Sequence, residues 1–286
     1  MHNLERYSLH RNQSIPINKL IKQGSDFLYD NDICNAKNEL EWFLQDLLEC
    51  DKINLKNFKI DMDKHNAVID FLLQRSQKIP FQYLLGKGSF YGRDFKVDKN
   101  VLVPRPESEL LVDIIKNNKH SNLLDIGTGC GCIAITAILE KIVDSADGID
   151  ISNESLKIAK KNAEVLKADN INFFNYNILD GTPNKKYDVI VSNPPYISMA
   201  EYKSLDEEVK NYEPAKALTD FGDGLNFYRR FAEIIRGLLT PNGVAVFELS
   251  HFFKKEVLVY IFKEFSEVEF FNDLNNDCRA IKIVNK

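Results

Sequence analysis

The chain has 286 residues, of which 44% are hydrophobic and 28% are charged. That length is enough for one large domain or two smaller ones with their own cores. Its formal net charge of -5 is not that of a protein that holds nucleic acid through its phosphates, so we expect no direct nucleic-acid binding.

The five cysteines are Cys34, Cys50, Cys130, Cys132 and Cys278. An odd count at scattered positions fits neither a disulfide framework nor a zinc site, so we predict no metal. The N-terminus is polar and no apolar run approaches membrane-spanning length. We therefore expect a cytoplasmic monomer with no membrane partner.

Residues 1–80 have a helical pattern. Apolar residues recur at three- and four-residue steps from Leu40 to Leu48 and again from Val68 to Leu73, which gives each segment one apolar face. Asp63 is predicted to cap the second helix, and Pro80 stops the pattern. We predict a small helical domain, which serves either as a folding accessory or as a module that docks a partner.

Glycines punctuate short aromatic and β-branched pieces in residues 81–104. Such punctuation predicts a β-hairpin between domains. A rigid corner follows at Pro104-Arg105-Pro106-Glu107, and we interpret Arg105 and Glu107 as parts of a structural joint.

From Asn122 onward, short apolar strands alternate with helices, which predicts a largely parallel α/β sheet. The first strand leads directly into Gly127-Thr128-Gly129-Cys130-Gly131, where glycines let the backbone turn tightly and let a ligand approach a helix N-terminus. The second strand ends in Asp150, an acid that can accept both ribose hydroxyls. The last two strands, at 268–272 and 279–284, must pair antiparallel because their connection is short.

A fourth buried strand, at 187–192, runs into Asn193-Pro194-Pro195-Tyr196. Proline gives no N–H to a ladder and holds the preceding residue extended, so Asn193 lies just past the strand end. The prolines leave backbone carbonyls free to accept hydrogen bonds. The segment therefore presents acceptors and one aromatic ring at the strand edge where α/β sheets bind ligands. This arrangement suits a planar NH2 group.

The glycine spacing is G-x-G-x-G, preceded by Asp125. A dinucleotide site is typically G-x-G-x-x-G. A cofactor with a ribose but no pyrophosphate needs the close loop and Asp150 and little more, so we predict S-adenosylmethionine. Its adenine is expected near Asn177 and Ile178, at the end of the third strand. The predicted cofactor-binding residues are Gly127, Thr128, Gly129, Cys130, Gly131, Asp150, Asn177, Ile178 and Asn193.

Several stretches together resemble the peptide chain release factor glutamine N(5)-methyltransferases, the HemK family of class I S-adenosylmethionine-dependent methyltransferases. The stretches are Phe81-Gln82-Tyr83-Leu84-Leu85-Gly86, Val101 to Glu109, Asp125 to Gly131, Val189 to Ile197, Glu213 to Leu218 and Asp223 to Arg229.

This resemblance implies three parts: a helical substrate-recognition domain over 1–80, a β-hairpin linker over 81–104, and a Rossmann-like methyltransferase domain over 105–286. The last part would hold a seven-stranded, mostly parallel sheet with the last strand antiparallel. The implied partner is a class 1 release factor, methylated on the glutamine of its Gly-Gly-Gln loop. The implied catalytic and substrate-binding residues are Asn193, Pro194, Pro195 and Tyr196.

Three alternatives remain open at this point, one of which, a catalytically silent binding module, is disfavoured by the intact site residues. The Asn-Pro-Pro-Tyr motif also handles the N6 amino group of adenine in DNA or RNA, although such an enzyme would have to flip the base and hold phosphates. A glutamine methyltransferase that acts on a ribosomal protein would differ mainly outside the site.

Overall fold

The computed structural model of the protein describes residues 4–11, 15–55, 58 and 60–286. Its described residues group into two compact units. One comprises Met1–Gly86 with Glu207–Tyr212, and the other comprises Lys87–Asp206 with Glu213–Lys286. The domain roles and boundaries given above stay predictions.

The first unit is helical. After a 3₁₀ turn at Leu4–Tyr7, its helices are α1 (Ile17–Tyr29), α2 (Ala36–Leu48), α3 (Lys52–Leu55), α4 (Met62–Ser76) and α5 (Phe81–Leu85). Their inward faces form one apolar core that includes Leu20, Leu40 and Leu72, each fully buried. Arg75 of α4 is also buried and donates to the carboxylate of Glu39 on α2 at 2.6 Å, which satisfies a charge that would otherwise destabilise the bundle.

Two local expectations in this region are wrong. The cap of α4 is Asp61, whose Oδ1 accepts the Lys64 N–H at 2.8 Å, while Asp63 lies inside the first turn. Residues 81–85, predicted as part of the hairpin, form α5 instead. Pro80 precedes its first turn with φ of -52°, and Gly86 ends it in the left-handed region at φ of 69°, as helix starts and stops commonly do.

The second unit begins with the predicted hairpin, β1 (Lys87–Phe90) and β2 (Arg93–Lys96), and continues with a 3₁₀ turn at Pro106–Ser108. The strands that follow are β3 (His120–Ile126), β4 (Val143–Asp150), β5 (Ile171–Asn175), β6 (Tyr187–Ser192), β7 (Leu239–Glu248), β8 (Val268–Asn272) and β9 (Cys278–Val284). The helices of this unit are α6 (Glu109–Ile115), α7 (Cys132–Leu139), α8 (Asn153–Leu166), α9 (Met199–Tyr202), α11 (Ala215–Leu218), α12 (Asn226–Leu238) and α13 (Lys255–Ile261), while α10 (Glu207–Tyr212) belongs to the first unit.

These strands form one sheet of seven, in the order β5-β4-β3-β6-β7-β9-β8. Neighbours from β5 to β7 are parallel, while β9 pairs antiparallel with both β7 and β8. The predicted α/β class, with a mostly parallel sheet and an antiparallel last strand, is confirmed. Strand order reverses between β3 and β6, and α/β sheets bind ligands at such a switch point.

The central strands are buried on both faces, which explains their continuous apolar runs. Val189, Ile190 and Val191 of β6 are all fully buried. Helix α12 covers one face with Tyr228, Phe231 and Ile235. Among the described residues, no helix is long and apolar enough to cross a membrane, and no group of three or more His, Cys, Asp or Glu side chains could hold a metal ion.

Glycine 131 ends the tight turn between β3 and α7, and we expect Gly131→Ala to destabilise the fold. Its φ is 84°, and an added Cβ would lie 2.9 Å from Ile135 Cδ1. The free energy of unfolding should fall by about 1–3 kcal/mol, measured by urea denaturation.

Gly237→Ala is the matched control, because Gly237 lies inside α12 and no described atom lies within 4 Å of an added Cβ. That change should raise stability by about 0.5–1 kcal/mol. Equal effects at both positions would contradict this account of Gly131.

Candidate active site

The pairing of four parallel strands brings the predicted site residues to one edge of the sheet. One row of paired residues crosses these strands, namely Ile149, Ile126, Ser192 and Phe247. The residues that directly follow this row are Asp150, Gly127, Asn193 and Glu248. Two predicted cofactor residues, the predicted catalytic asparagine and a glutamate that the sequence analysis did not assign therefore occupy neighbouring strand ends.

The glycine loop is held close to β4. The backbone N–H groups of Gly127 and Thr128 both donate to the Ile149 carbonyl, at 2.8 and 3.0 Å. Gly127 and Gly129 have positive φ, and no described atom lies within 4 Å of an added Cβ at either one. This open space is where a ligand could approach the backbone. The side chains of Thr128 and Cys130 are buried, so these two residues can contribute backbone groups only.

Asp150 is tied to the glycine loop. Its Oδ2 accepts the Gly129 N–H at 3.0 Å and its Oδ1 accepts the Ser152 N–H at 2.8 Å. Each oxygen retains further accepting capacity, and the side chain is only partly buried. Burial raises the pKa of this carboxyl above its ordinary value, against the hydrogen bonds from the backbone. A pair of ribose hydroxyls fits such a carboxylate.

Asp125, at the end of β3, carries a buried and incompletely paired carboxyl group. Its Oδ2 accepts the Thr128 hydroxyl at 2.7 Å, but its Oδ1 has no hydrogen-bond partner among the described residues. Burial raises the pKa of Asp125 to about 7, against the favourable interactions of its carboxylate with the Thr128 hydroxyl and the backbone N–H of Ala134. An unpaired buried acceptor beside an open glycine loop is what a cationic ligand such as S-adenosylmethionine would complete, so the residues present fit that cofactor.

Asn177 and Ile178, predicted near the adenine, are engaged within the protein. Asn177 Nδ2 donates to Asp180 at 2.6 Å, and its Oδ1 accepts the Leu179 N–H. The Ile178 side chain belongs to the core and is only 3% exposed, so a base could contact little of it. Their role at the adenine stays a prediction.

The Asn193-Pro194-Pro195-Tyr196 segment is anchored at both ends by side chains. Asn193 Nδ2 donates to Ser108 Oγ at 2.9 Å, and the Tyr196 hydroxyl donates to Glu248 Oε1 at 2.9 Å. Asn193 Oδ1 accepts no hydrogen bond within the described part of the chain. This leaves one amide oxygen, together with the strand-end backbone, available to a substrate NH2 group.

A neighbouring loop supports this segment from behind. The Ile197 N–H donates to the Leu218 carbonyl at 2.9 Å, and the Met199 N–H donates to the Gly222 carbonyl at 3.0 Å. Gly224 has a φ of 82°, and an added Cβ there would lie only 2.3 Å from the Tyr196 carbonyl oxygen. Only glycine permits this approach of the two backbones.

The sequence analysis assigned no role to Ser108 or Glu248. Ser108 Oγ donates to Glu248 Oε2 at 2.5 Å, so both residues join the anchoring of Asn193. One signal was available for Glu248, because an acid that ends a buried apolar strand lies where site residues gather. Arg105, interpreted as a joint, pairs with the buried carboxylate of Glu213.

Comparisons with known proteins bear on this site. Residues 105–212 match the family described as Methyltransferase small domain. A protein named Release factor glutamine methyltransferase from Fusobacterium nucleatum subsp. nucleatum is 38% identical, over 83% of this chain and 70% of that protein. A protein of the same name from Bacillus subtilis (strain 168) is 42% identical, over 71% of this chain and 74% of that protein.

Solved structures share the fold at low sequence identity. A methyltransferase from Pyrococcus furiosus aligns with a TM-score of 0.53 at 18% identity, covering 74% of this chain and 98% of that one. A Thermus thermophilus 16S rRNA N2 G1207 methyltransferase, solved with AdoMet and guanosine, aligns with a TM-score of 0.50 at 16% identity, over 70% of this chain and 50% of that one.

The raised pKa of Asp125 predicts how the stability of the ligand-free protein changes with pH. Because its folded pKa of about 7 lies above the ordinary 3.8, the stability it contributes is fully present below pH 3.8 and is lost as pH rises to 7. Between pH 5 and pH 8, the ligand-free parent should lose about 2–3 kcal/mol that Asp125→Asn does not lose. Urea unfolding at both pH values measures the difference.

Asp169→Asn, at an exposed position, controls for the loss of one negative charge. If Asp125→Asn and Asp169→Asn show the same change between the two pH values, the buried carboxyl is not the cause.

Proposed function

Because the chain belongs to the family of release factor glutamine methyltransferases, we propose that it methylates a peptide chain release factor with S-adenosylmethionine. The acceptor is the side-chain amide nitrogen of a glutamine, in the Gly-Gly-Gln motif of class 1 release factors. The observation that carries this proposal is the orientation of Asn193, whose Nδ2 is held by Ser108 and whose Oδ1 is left to accept.

The site residues have separate tasks. Backbone groups of Gly127 to Gly131 and the Asp150 carboxylate would hold the cofactor, which supplies an electrophilic methyl group when bound. An amide nitrogen is a poor nucleophile, because its lone pair is delocalised into the carbonyl. Asn193 Oδ1 and the Pro194 carbonyl accept its two N–H groups, which aims the nitrogen and stabilises the positive charge that develops on it.

Specificity follows from the same acceptors. Pro194 is buried and Asn193 and Tyr196 are partly buried, so a substrate group without N–H donors would leave acceptors unpaired in a site with little water. Tyr196 offers a ring face to the flat amide. Burial raises the pKa of the Tyr196 hydroxyl well above its ordinary value, so this hydroxyl stays neutral and donates to Glu248.

The two alternative substrates are not favoured. Relatives at 33–42% identity are named for a release factor glutamine, and neither adenine N6 nor a ribosomal protein is named among these relatives. Absence of nucleic-acid binding and a monomeric state stay predictions.

The helical unit, in this proposal, adds contacts to the protein substrate. It exposes large apolar side chains, with Tyr29 at 71%, Trp42 at 49% and Ile53 at 78% exposure. Exposed aromatic and aliphatic residues are typical anchors of protein interfaces. The glutamine itself is bound by the second unit.

Removing the Asn193 amide tests the proposed site. Asn193→Ala should lower kcat for methyl transfer to a release factor about 100-fold, because one aimed acceptor at the reacting centre is lost. The KM for S-adenosylmethionine should rise as well if Asn193 also contacts the cofactor, as the sequence analysis predicts. Radiolabelled methyl transfer measures both constants, with a ribosomal protein and DNA as parallel acceptors.

Asn184→Ala, at an exposed loop position, is the matched control and should retain parental kcat. A kcat for Asn193→Ala within about twofold of the parent would reject the proposed role. Transfer to DNA or to the ribosomal protein, and not to the release factor, would reject the proposed substrate.

Substitution of exposed residues tests the helical unit. Ile53→Ser and Trp42→Ser should each raise KM for an intact release factor about three- to tenfold, as expected for a lost contact of about 1 kcal/mol. The KM for a short glutamine peptide should not change. Val165→Ser alters an exposed residue of α8 and should leave both KM values at the parental level; unchanged KM values for Ile53→Ser and Trp42→Ser would contradict this role.

A further inference from the structure

A buried chain of hydrogen bonds runs behind the substrate-facing edge of the site. It connects Asn193 through Ser108 to Glu248, and Glu248 back to Tyr196, with distances of 2.9, 2.5 and 2.9 Å. Ser108 is 3% exposed and Glu248 is 1% exposed. The three parts come from the turn before α6, the end of β6 and the end of β7, so one closed network joins residues that are distant in sequence.

The negative charge of Glu248 determines which group donates and which accepts in each hydrogen bond of this network. An ionised carboxylate can only accept hydrogen bonds, and here its two oxygens take the hydroxyl hydrogens of Ser108 and Tyr196. Ser108 has one hydrogen, which is thereby committed to Glu248. Toward Asn193, the Ser108 oxygen can then act only as an acceptor. The donor that Asn193 offers is its Nδ2 amide group.

The alternative orientation of the Asn193 amide is unfavourable. Rotation by half a turn would bring Oδ1 against Ser108 Oγ, and two acceptors would then face each other in a buried place. The cost of such an unmatched pair decides between amide orientations that have almost the same shape. Glu248 therefore determines, through Ser108, that Oδ1 of Asn193 points toward the substrate.

Glu248 is not placed to take a proton from the substrate. Both of its oxygens accept protein hydroxyls, and Ser108 stands between it and Asn193. Burial raises the pKa of Glu248 above its ordinary value and the charge of Glu107 adds to the rise, while the two hydroxyl donors and Arg279 favour the charged form. These three groups offset part of the cost of burying the charge.

We propose that Ser108 and Glu248 are positioning residues that hold the Asn193 amide with its oxygen toward the substrate glutamine. This inference rests on the proposed function for the identity of the substrate, but not for the orientation itself. Glu248 also holds Tyr196, so one side chain from a neighbouring strand immobilises both ends of the Asn193–Tyr196 segment. Such support from behind keeps reacting groups within a fraction of an ångström.

The kinetic test uses the intact protein with a release factor as substrate. Ser108→Ala removes the acceptor for Nδ2, and Glu248→Met removes the carboxylate while keeping most of the volume. Ser108→Ala should lower kcat roughly tenfold, the scale of one lost hydrogen bond, and Glu248→Met, which removes the acceptor for both Ser108 and Tyr196, should lower kcat at least tenfold. Ser108→Thr keeps the hydroxyl and should restore kcat to within about threefold. Ser155→Ala removes a buried hydroxyl that lies outside this network and donates to the Asn100 carbonyl. It should leave kcat unchanged.

A double substitution separates positioning from general damage to the fold. If Ser108 acts through Asn193, then Asn193→Ala with Ser108→Ala should have the same kcat as Asn193→Ala alone. A further tenfold loss in the double variant would show that Ser108 acts by another route and would overturn the inference.

Nuclear magnetic resonance of asparagine-labelled protein tests the orientation without any substrate. The side-chain NH2 signal that disappears in Asn193→Ala should shift in Ser108→Ala and in Glu248→Met, and not in Ser155→Ala. An unshifted signal in both variants would overturn the inference. A parent that shows the expected shifts but does not methylate a release factor would contradict the proposed function and leave the positioning role supported.

Discussion

Parallel pairing of β4, β3, β6 and β7 is the constraint on which the site depends. Because these strands are in register, they end together, and the residue after each end is delivered to the same edge. The apolar cores on both faces of the sheet hold this register, since a slip of one residue would turn buried side chains outward. Sheet packing thus sets where the site residues begin, and loop contacts such as those of Ile197 and Met199 hold the segments that follow the strands.

Two buried carboxyl groups at this edge have opposite surroundings. Glu248 has both oxygens satisfied by protein hydroxyls, so its burial stabilises a fixed arrangement. Asp125 keeps one oxygen without a partner among the described residues, so its burial leaves one hydrogen-bond acceptor unsatisfied. The first condition is typical of support for a site and the second is typical of a place that a ligand completes. Glu248 is the last residue of β7 and Asp125 is the last but one of β3, so their hydrogen-bond partners distinguish them.

Local patterns were enough to predict much of this protein. The glycine loop, the acid at the end of β4 and the prolines after β6 each follow from a few consecutive residues, and the α/β class and the family resemblance are confirmed. The cap at Asp61 and the helix at 81–85 were missed, because single turns are decided by competing short-range signals.

Contacts between distant residues explain what the sequence did not reveal. Ser108 and Glu248 are separated by 140 positions, and neither belongs to a periodic pattern that would connect them. Burial of Ile178 in the core depends likewise on how α12 packs over the sheet, which no local rule supplies. Roles that arise from the ends of strands are predictable once strand order is known, whereas roles that arise from side-chain pairing are not.

The backbone contact at Gly224 has a wider consequence. Since a Cβ there would lie 2.3 Å from the Tyr196 carbonyl oxygen, the backbone at Gly224 packs directly against the Asn193–Tyr196 segment. A side chain at position 224 would therefore displace the Asn193–Tyr196 segment. The shape of the candidate site thus depends on a position whose own residue has no side chain.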